Sequence, residues 1–216
     1  MGSDHHGYIG RLRAGLASLS FSPEDLEVVL VQFISLYRGK KKIQMSTRSG
    51  EFTPMSELYN EVGVDAARFF YVSKSQSQHL DFDLELAKQT NNENPVYYIQ
   101  YAHARINSIF RKASISKKNF DSIEISLIND HEESLSRAII GFSESLDEAI
   151  GNYAPHRLAV YLHKLAQEFG SFYENCPVLL NDDELTMNRR LALCNLTART
   201  LSTGLNLLGI DALERM

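Results

Sequence analysis

A mainly α protein is predicted, in which a C-terminal antiparallel helix bundle over residues 94–216 is preceded by a small α/β part over residues 1–93. Two observations lead there. Past Pro95 the apolar residues recur every three or four positions in four long stretches, whereas before Asn94 the patterns are short and mixed. Between the two regimes lies Asn91-Asn92-Glu93-Asn94-Pro95, a run that breaks any continuing helix.

The elements follow in order. Gly2-Ser3-Asp4-His5-His6-Gly7 is a dense turn-like motif, and Ile9, Leu12, Leu16 and Leu19 then keep a helical spacing over 8–19. Ser22-Pro23-Glu24-Asp25 is a turn or helix start. The β-branched run over 26–36 predicts a buried strand, and 38–52, with Gly39, Gly50 and several cations, predicts a loop. Thr53 as cap and Pro54 in the first turn predict a helix that Gly63 ends in a left-handed conformation. Asp65 is expected to cap a short helix over 66–73 that turns Phe69 and Phe70 toward a core, and Asp81-Phe82-Asp83 precedes one more helical turn. In the bundle, Val96, Ile99, Ala102, Ile106, Ile109 and Phe110 share one face of a first helix. Leu135, Ile139, Phe142, Leu146 and Ile150 predict a second. Pro155 starts a third, with Leu158, Leu162, Leu165, Phe169 and Phe172. Acids at 182–184 suit the positive end of a fourth, lined by Leu191, Leu201, Leu205 and Leu208 up to Gly209.

Composition excludes several classes. Hydrophobic residues make up 44% and charged residues 23% of the 216, which supports a packed core rather than disorder. No apolar run approaches the roughly 18 residues of a membrane span, and no secretory leader is seen. Cys176 and Cys194 are too few for a disulfide framework, so a reducing cytoplasm is the expected compartment. A net charge of −5 argues against bulk coating of nucleic acid but leaves room for a local basic surface.

Two stretches stand out chemically. Between Arg38 and Arg48 there are five cations and no acid, interspersed with hydroxyls. Such a stretch is suited to a polyphosphate; on charge alone a solvated basic hairpin tip is the commoner reading. Residues 94–120 carry Arg105, Arg111, Lys112, Lys117 and Lys118 with no acid, interleaved with Tyr97, Tyr98, Tyr101 and His103. Cations there can meet phosphates and rings can stack on unpaired bases, or the tyrosines can be half-buried core residues. Adjacent His5 and His6 point apart, and no metal-ligand spacing occurs, so no metal site is expected.

Gln44-Met45-Ser46-Thr47-Arg48 resembles the KMSKS signature of class I aminoacyl-tRNA synthetases, with Gln44 and Thr47 where that signature carries lysines. Asp4-His5-His6-Gly7-Tyr8 is similar to the nucleotide-pocket segment of arginyl-tRNA synthetases. The stretch from Asn94 through Tyr97, Tyr98, Tyr101, His103 and Arg105 to Ile106 is similar to the opening of their helical DALR anticodon-binding domain, and Gly209 to Met216 to their C-terminus. The resemblance implies a remnant of a class I nucleotide-binding domain over 1–93 and a DALR domain over 94–216. It implies ATP-phosphate and catalytic contacts by Met45, Ser46, Thr47 and Arg48, and nucleotide binding by Asp4, His5, His6 and Gln44. Contacts to tRNA fall on Tyr97, Tyr101, Arg105, His156, Arg189, Arg215 and Met216. The implied substrates are ATP with Mg2+, L-arginine and an arginine-specific tRNA, in a monomeric ligase with no membrane partner. The HIGH motif of that family does not occur in these 216 residues, so the chain is expected to be a C-terminal part, incomplete for catalysis alone. A free-standing RNA-binding module and a purely structural helical adaptor are the alternatives.

Overall fold

Strand β1 (Ile34–Arg38) is the backbone of the first part of the molecule in a computed structural model that describes residues 1–44, 53–115, 120, 129–179 and 183–216. It turns through Gly39, at φ +60, into the short antiparallel β2 (Lys41–Lys42). On its other side β1 pairs in parallel with β3 (Leu80–Asp83), Ile34 opposite Leu80 and Tyr37 opposite Asp83. Leu36, Leu80 and Phe82 are buried while Asp81 faces out, the period-two pattern of a half-buried strand.

The predicted strand over 26–36 is therefore shifted and shortened. Residues 28–33 run beside the N-terminal segment through one parallel bridge, Gly2 to Val31, with Ser3 N donating to Val31 O at 2.9 Å and Val31 N to Met1 O at 2.8 Å. A ladder forms only where β3 supplies a continuous partner. The dense N-terminal motif is a 3-10 segment, Ser3–Tyr8, leading into α1 (Ile9–Ser18). The spacing foretold this helix, but none of its residues is buried; Leu12, Leu19, Phe21, Val31 and Phe33 are exposed.

Helix α2 (Met55–Val62) starts after Pro54, which occupies the cap position expected for Thr53. Gly63 ends α2 at φ +82 and ψ 156, an extended conformation open to glycine rather than a left-handed turn. It then caps α3 (Val64–Val72), which begins earlier than expected, with Asp65 inside its first turn. Phe69 and Phe70 are buried as expected, and Phe70 packs on Phe82 at 5.3 Å between ring centres. Asp83 caps α4 (Leu84–Lys88) by accepting from Glu85 N at 2.9 Å.

The bundle consists of α5 (Pro95–Ala113), α6 (Asp130–Ile140), α7 (Phe142–Gly151), α8 (Pro155–Asn175) and α9 (Glu184–Leu207). Helix α8 is its axis. It runs antiparallel to α6 and α7, with His131 beside Ser171 and Glu148 beside Arg157, and its first half meets the end of α9, where Leu162 packs on Gly204. The predicted apolar faces of α5, α8 and α9 are buried. The predicted second helix is two. Tyr161 donates its hydroxyl to Ala138 O at 2.8 Å, a carbonyl that a continuous helix would offer to Phe142 N, and the axis breaks at Gly141. Ile150, expected on the buried face, is exposed. Helix α9 closes with Gly209 at φ +69, its N–H bonded to Asn206 O and that of Ile210 to Leu205 O, a Schellman motif.

Candidate nucleic-acid interface

Helix α5 carries the site. Its start is pinned by Asn94, whose Oδ1 accepts from Val96 N and whose Nδ2 donates to Ala87 O and Gln89 O. Pro95 presets the first turn. One stripe of the helix, at i, i+4 and i+8, holds Tyr97, Tyr101 and Arg105. The rings of Tyr97 and Tyr101 stack at 6.1 Å and 11°. The Arg105 guanidinium lies 5.4 Å from the ring centre of Tyr101 and 4.7 Å from that of Tyr173 on α8. Beside the stripe is a cleft of about 390 Å³, lined among others by Asn92, Tyr98, Arg105, Tyr173 and Glu174. Tyr98 forms its inner wall against His163, and burial, together with Glu174, raises its pKa. Stacked rings, one guanidinium and a carboxylate at the mouth suit an unpaired base that stacks and offers an amino group.

A second stripe of α5 is committed elsewhere. Gln100, His103, Asn107 and Arg111 stand on one face, the first three buried. Gln100 Nε2 donates to Asp211 O at 2.9 Å, His103 Nδ1 lies 2.8 Å from Leu213 O, and Arg111 donates to Glu214 O at 3.0 Å. His103, one of the interleaved rings in the sequence, therefore holds the C-terminal tail. Arg215 and Met216 follow directly and are exposed.

The remaining expected contacts are spread out. Arg189 is half-buried near the start of α9, with no hydrogen-bond partner at Nε among the described residues. Its neighbour Arg190 bonds the buried Glu132 at 2.8 Å and Pro177 O at 2.7 Å. His156 lies in the first turn of α8, its pKa lowered by burial and by Arg157. Seventeen residues of helix, about 25 Å, separate it from Tyr173. The structure thus gathers Tyr97, Tyr101 and Arg105 and leaves His156 at the other end of α8.

Toward the N-terminus, Asp4, His5 and His6 are exposed, with His5 3.5 Å from Asp4 and His6 Nδ1 3.2 Å from Ser3 O. Gln44 is exposed just past Ile43, whose N–H donates to Leu36 O. Met45, Ser46, Thr47 and Arg48 lie outside the described residues, as do Lys117 and Lys118. Arg38, counted among the basic-loop cations, is instead paired with Glu61 and Glu85, which Lys88 also bridges. The hydrogen bond to Glu61 raises the Arg38 pKa, and that from Arg38 lowers the Glu61 pKa. Sequence reasoning missed this cluster because, apart from the i,i+3 pair Glu85–Lys88, its members are joined only by the fold. Among the described residues no group of three or more His, Cys, Asp or Glu stands together as a metal site, and no helix is long and apolar enough to cross a membrane.

The leading helix of the bundle thus offers two stacked tyrosines and an arginine along one stripe. The family model of the DALR anticodon binding domain matches residues 99–216, and the chain belongs to that family. Its whole length is similar to arginine–tRNA ligases: 50% identical over 220 residues to that of Coxiella burnetii (strain RSA 493 / Nine Mile phase I), and 48% over 216 residues to that of Aromatoleum aromaticum. In both cases it spans 37% of the relative's length. Among solved structures, an arginyl-tRNA synthetase from Campylobacter jejuni superposes over the whole chain and 47% of its own, with a TM-score of 0.92 and 33% identity. The Thermus thermophilus arginyl-tRNA synthetase does so over 40% of its own chain, with a TM-score of 0.76 and 26% identity.

Proposed function

We propose that these 216 residues are the rear part of an arginine–tRNA ligase, with 1–93 closing the catalytic domain and 94–216 binding the anticodon region of an arginine-specific tRNA. The observation that carries this is the open Tyr97–Tyr101–Arg105 stripe capped by Tyr173, lying within a bundle of the DALR family. In the whole enzyme the carboxylate of L-arginine attacks the α-phosphate of ATP. Arginyl-adenylate and pyrophosphate form, and a ribose hydroxyl at the tRNA 3′ end then takes the arginine. No side chain of this chain need act as nucleophile or base; its contribution is positioning and charge stabilisation. Met45, Ser46, Thr47 and Arg48 would hold the triphosphate, aided by Lys40, Lys41 and Lys42 where Gln44 and Thr47 replace lysines. Asp4, His5 and His6 would contact the nucleotide, and Mg2+ would enter with the ATP phosphates. On the tRNA side, Tyr97, Tyr101 and Arg105 take a loop base, while Arg189, Arg215 and Met216 offer further contacts and His156 a separate one. The enzyme is proposed to act as a monomer in the cytoplasm.

The test is arginine-dependent exchange of pyrophosphate into ATP. A protein encoding this chain in its longer reading frame should catalyse exchange, and the 216 residues alone should not. Exchange by the isolated chain, or none by the longer protein with arginine and tRNA present, contradicts the proposal; the second result would leave an RNA-binding module.

A further inference from the structure

We propose that residues 208–214 are a strap that ties α3 of the first part to α5 of the bundle, making the seating of α3 depend on the C-terminus. Each side of the strap is held by different groups. On the α3 side, Arg68 Nε donates to Leu208 O at the end of α9, and Asp65 Oδ1 accepts from Asp211 N at 3.3 Å. On the α5 side, Gln100, His103 and Arg111 take the carbonyls of Asp211, Leu213 and Glu214.

One side chain closes the circuit. Gln100 Nε2 also donates to Asp65 Oδ2 at 2.7 Å, so α3, α5 and the tail meet around a single carboxylate and amide. Gln100 is buried and Asp65 half-buried, so both hydrogen bonds are partly shielded from water.

The backbone is shaped for this route. Gly209 sits at φ +69, and a Cβ there would stand 2.5 Å from Arg68 Nε. Only glycine passes so close at that angle. Ile210, almost fully buried, anchors the turn between the tie at Leu208 and those from Asp211 to Glu214. Nearly every tie to the tail ends on a backbone group, so the strap is set by geometry more than by the tail's own side chains.

Meanwhile part of α3's apolar face is turned to its own sheet, where Phe70 and Tyr71 pack on Phe82. Helix α3 also meets α5 and α8 directly, with Ala67 and Phe69 buried, and the polar ties add to that packing. Helix α2 directly precedes α3, joined to it by Gly63.

Hydrogen exchange read by mass spectrometry on the 216-residue chain tests this without tRNA or activity. Replacing Asp65→Ala and Arg68→Ala together should speed exchange in 209–213 and in α3 by about tenfold or more, leaving α8 unchanged. Gly209→Ala, which removes no strap side chain but crowds Arg68 and strains the turn, should give the same local pattern. Unchanged exchange in α3 overturns the strap. So does acceleration spreading equally into α8, because the tail would then be one part of a single cooperative unit.

Discussion

The guanidinium of Arg105 lies between two tyrosines of different helices, 5.4 Å from the ring centre of Tyr101 and 4.7 Å from that of Tyr173. Tyr97 continues the stack. Arg105 is exposed, so the contacts orient a cation that is still open to solvent and to a phosphate or base. Arg105→Ala should weaken binding of an arginine tRNA about tenfold or more and make it less sensitive to salt. Thermal stability should change by less than about 1 kcal/mol, because the side chain is at the surface. Fluorescence anisotropy at two salt concentrations, with a melting curve, measures both.

The close contact between α8 and α9 gives a packing prediction. A Cβ at Gly204 would stand 2.5 Å from Cδ2 of the fully buried Leu162. Gly204→Ala should cost about 1–3 kcal/mol by overpacking. Leu162→Ala should cost about 2–5 kcal/mol by leaving a cavity. The double variant should lose less than the sum, since the new methyl occupies part of the vacated space. Urea unfolding of the three variants decides it; strict additivity would mean the two positions relax independently.

Arg190 and Glu132 join the starts of α9 and α6, Nε to Oε1 at 2.8 Å, with Glu132 almost fully buried. Arg190→Met takes the cation from a desolvated carboxylate and should cost about 3 kcal/mol. Glu132→Gln together with Arg190→Met should recover part of the loss, because the buried carboxylate no longer carries a charge. Recovery absent in a thermal melt would show that Pro177 O is the more important partner of Arg190.

Much of the bundle was legible in advance, since helical periodicity is local. Leu158, Leu162, Leu165, Phe169 and Phe172 are all buried on α8, and Gly209 ends α9's capping turn as its type suggests. What was hidden depends on distant partners. Strand β3 was missed because Asp81 and Asp83 are poor strand formers and its partner lies more than forty residues away, although the alternation of Leu80 and Phe82 with the aspartates was a signal. The break at Gly141 needs Tyr161 of another helix. In the site, charge and aromatics marked α5, but not its division: one stripe stays open while the next residue round, His103 included, holds the tail. The ion cluster of Arg38, Glu61, Glu85 and Lys88 draws on three elements, and only its i,i+3 pair Glu85–Lys88 is local.

His163 packs against Tyr98, and burial lowers its pKa below the ordinary value of 6.5. In the unfolded chain it takes up its proton at a higher pH than in the folded protein. Its contribution to stability is therefore fully present above pH 6.5 and shrinks as pH falls toward the lower folded value. The melting temperature should drop as pH falls below about 6.5, ahead of carboxylate titration. His163→Gln should flatten that part of the profile, leaving the smaller share due to His156, which is lowered likewise by burial and by Arg157.

Base-dependent tRNA binding is the most direct test of the assignment of α5. The 216-residue chain should bind an arginine tRNA in preference to the same tRNA with its anticodon bases exchanged, and Tyr101→Ala should abolish the preference while leaving weak, salt-sensitive binding. Equal affinity for both tRNAs by the unaltered chain would contradict the account.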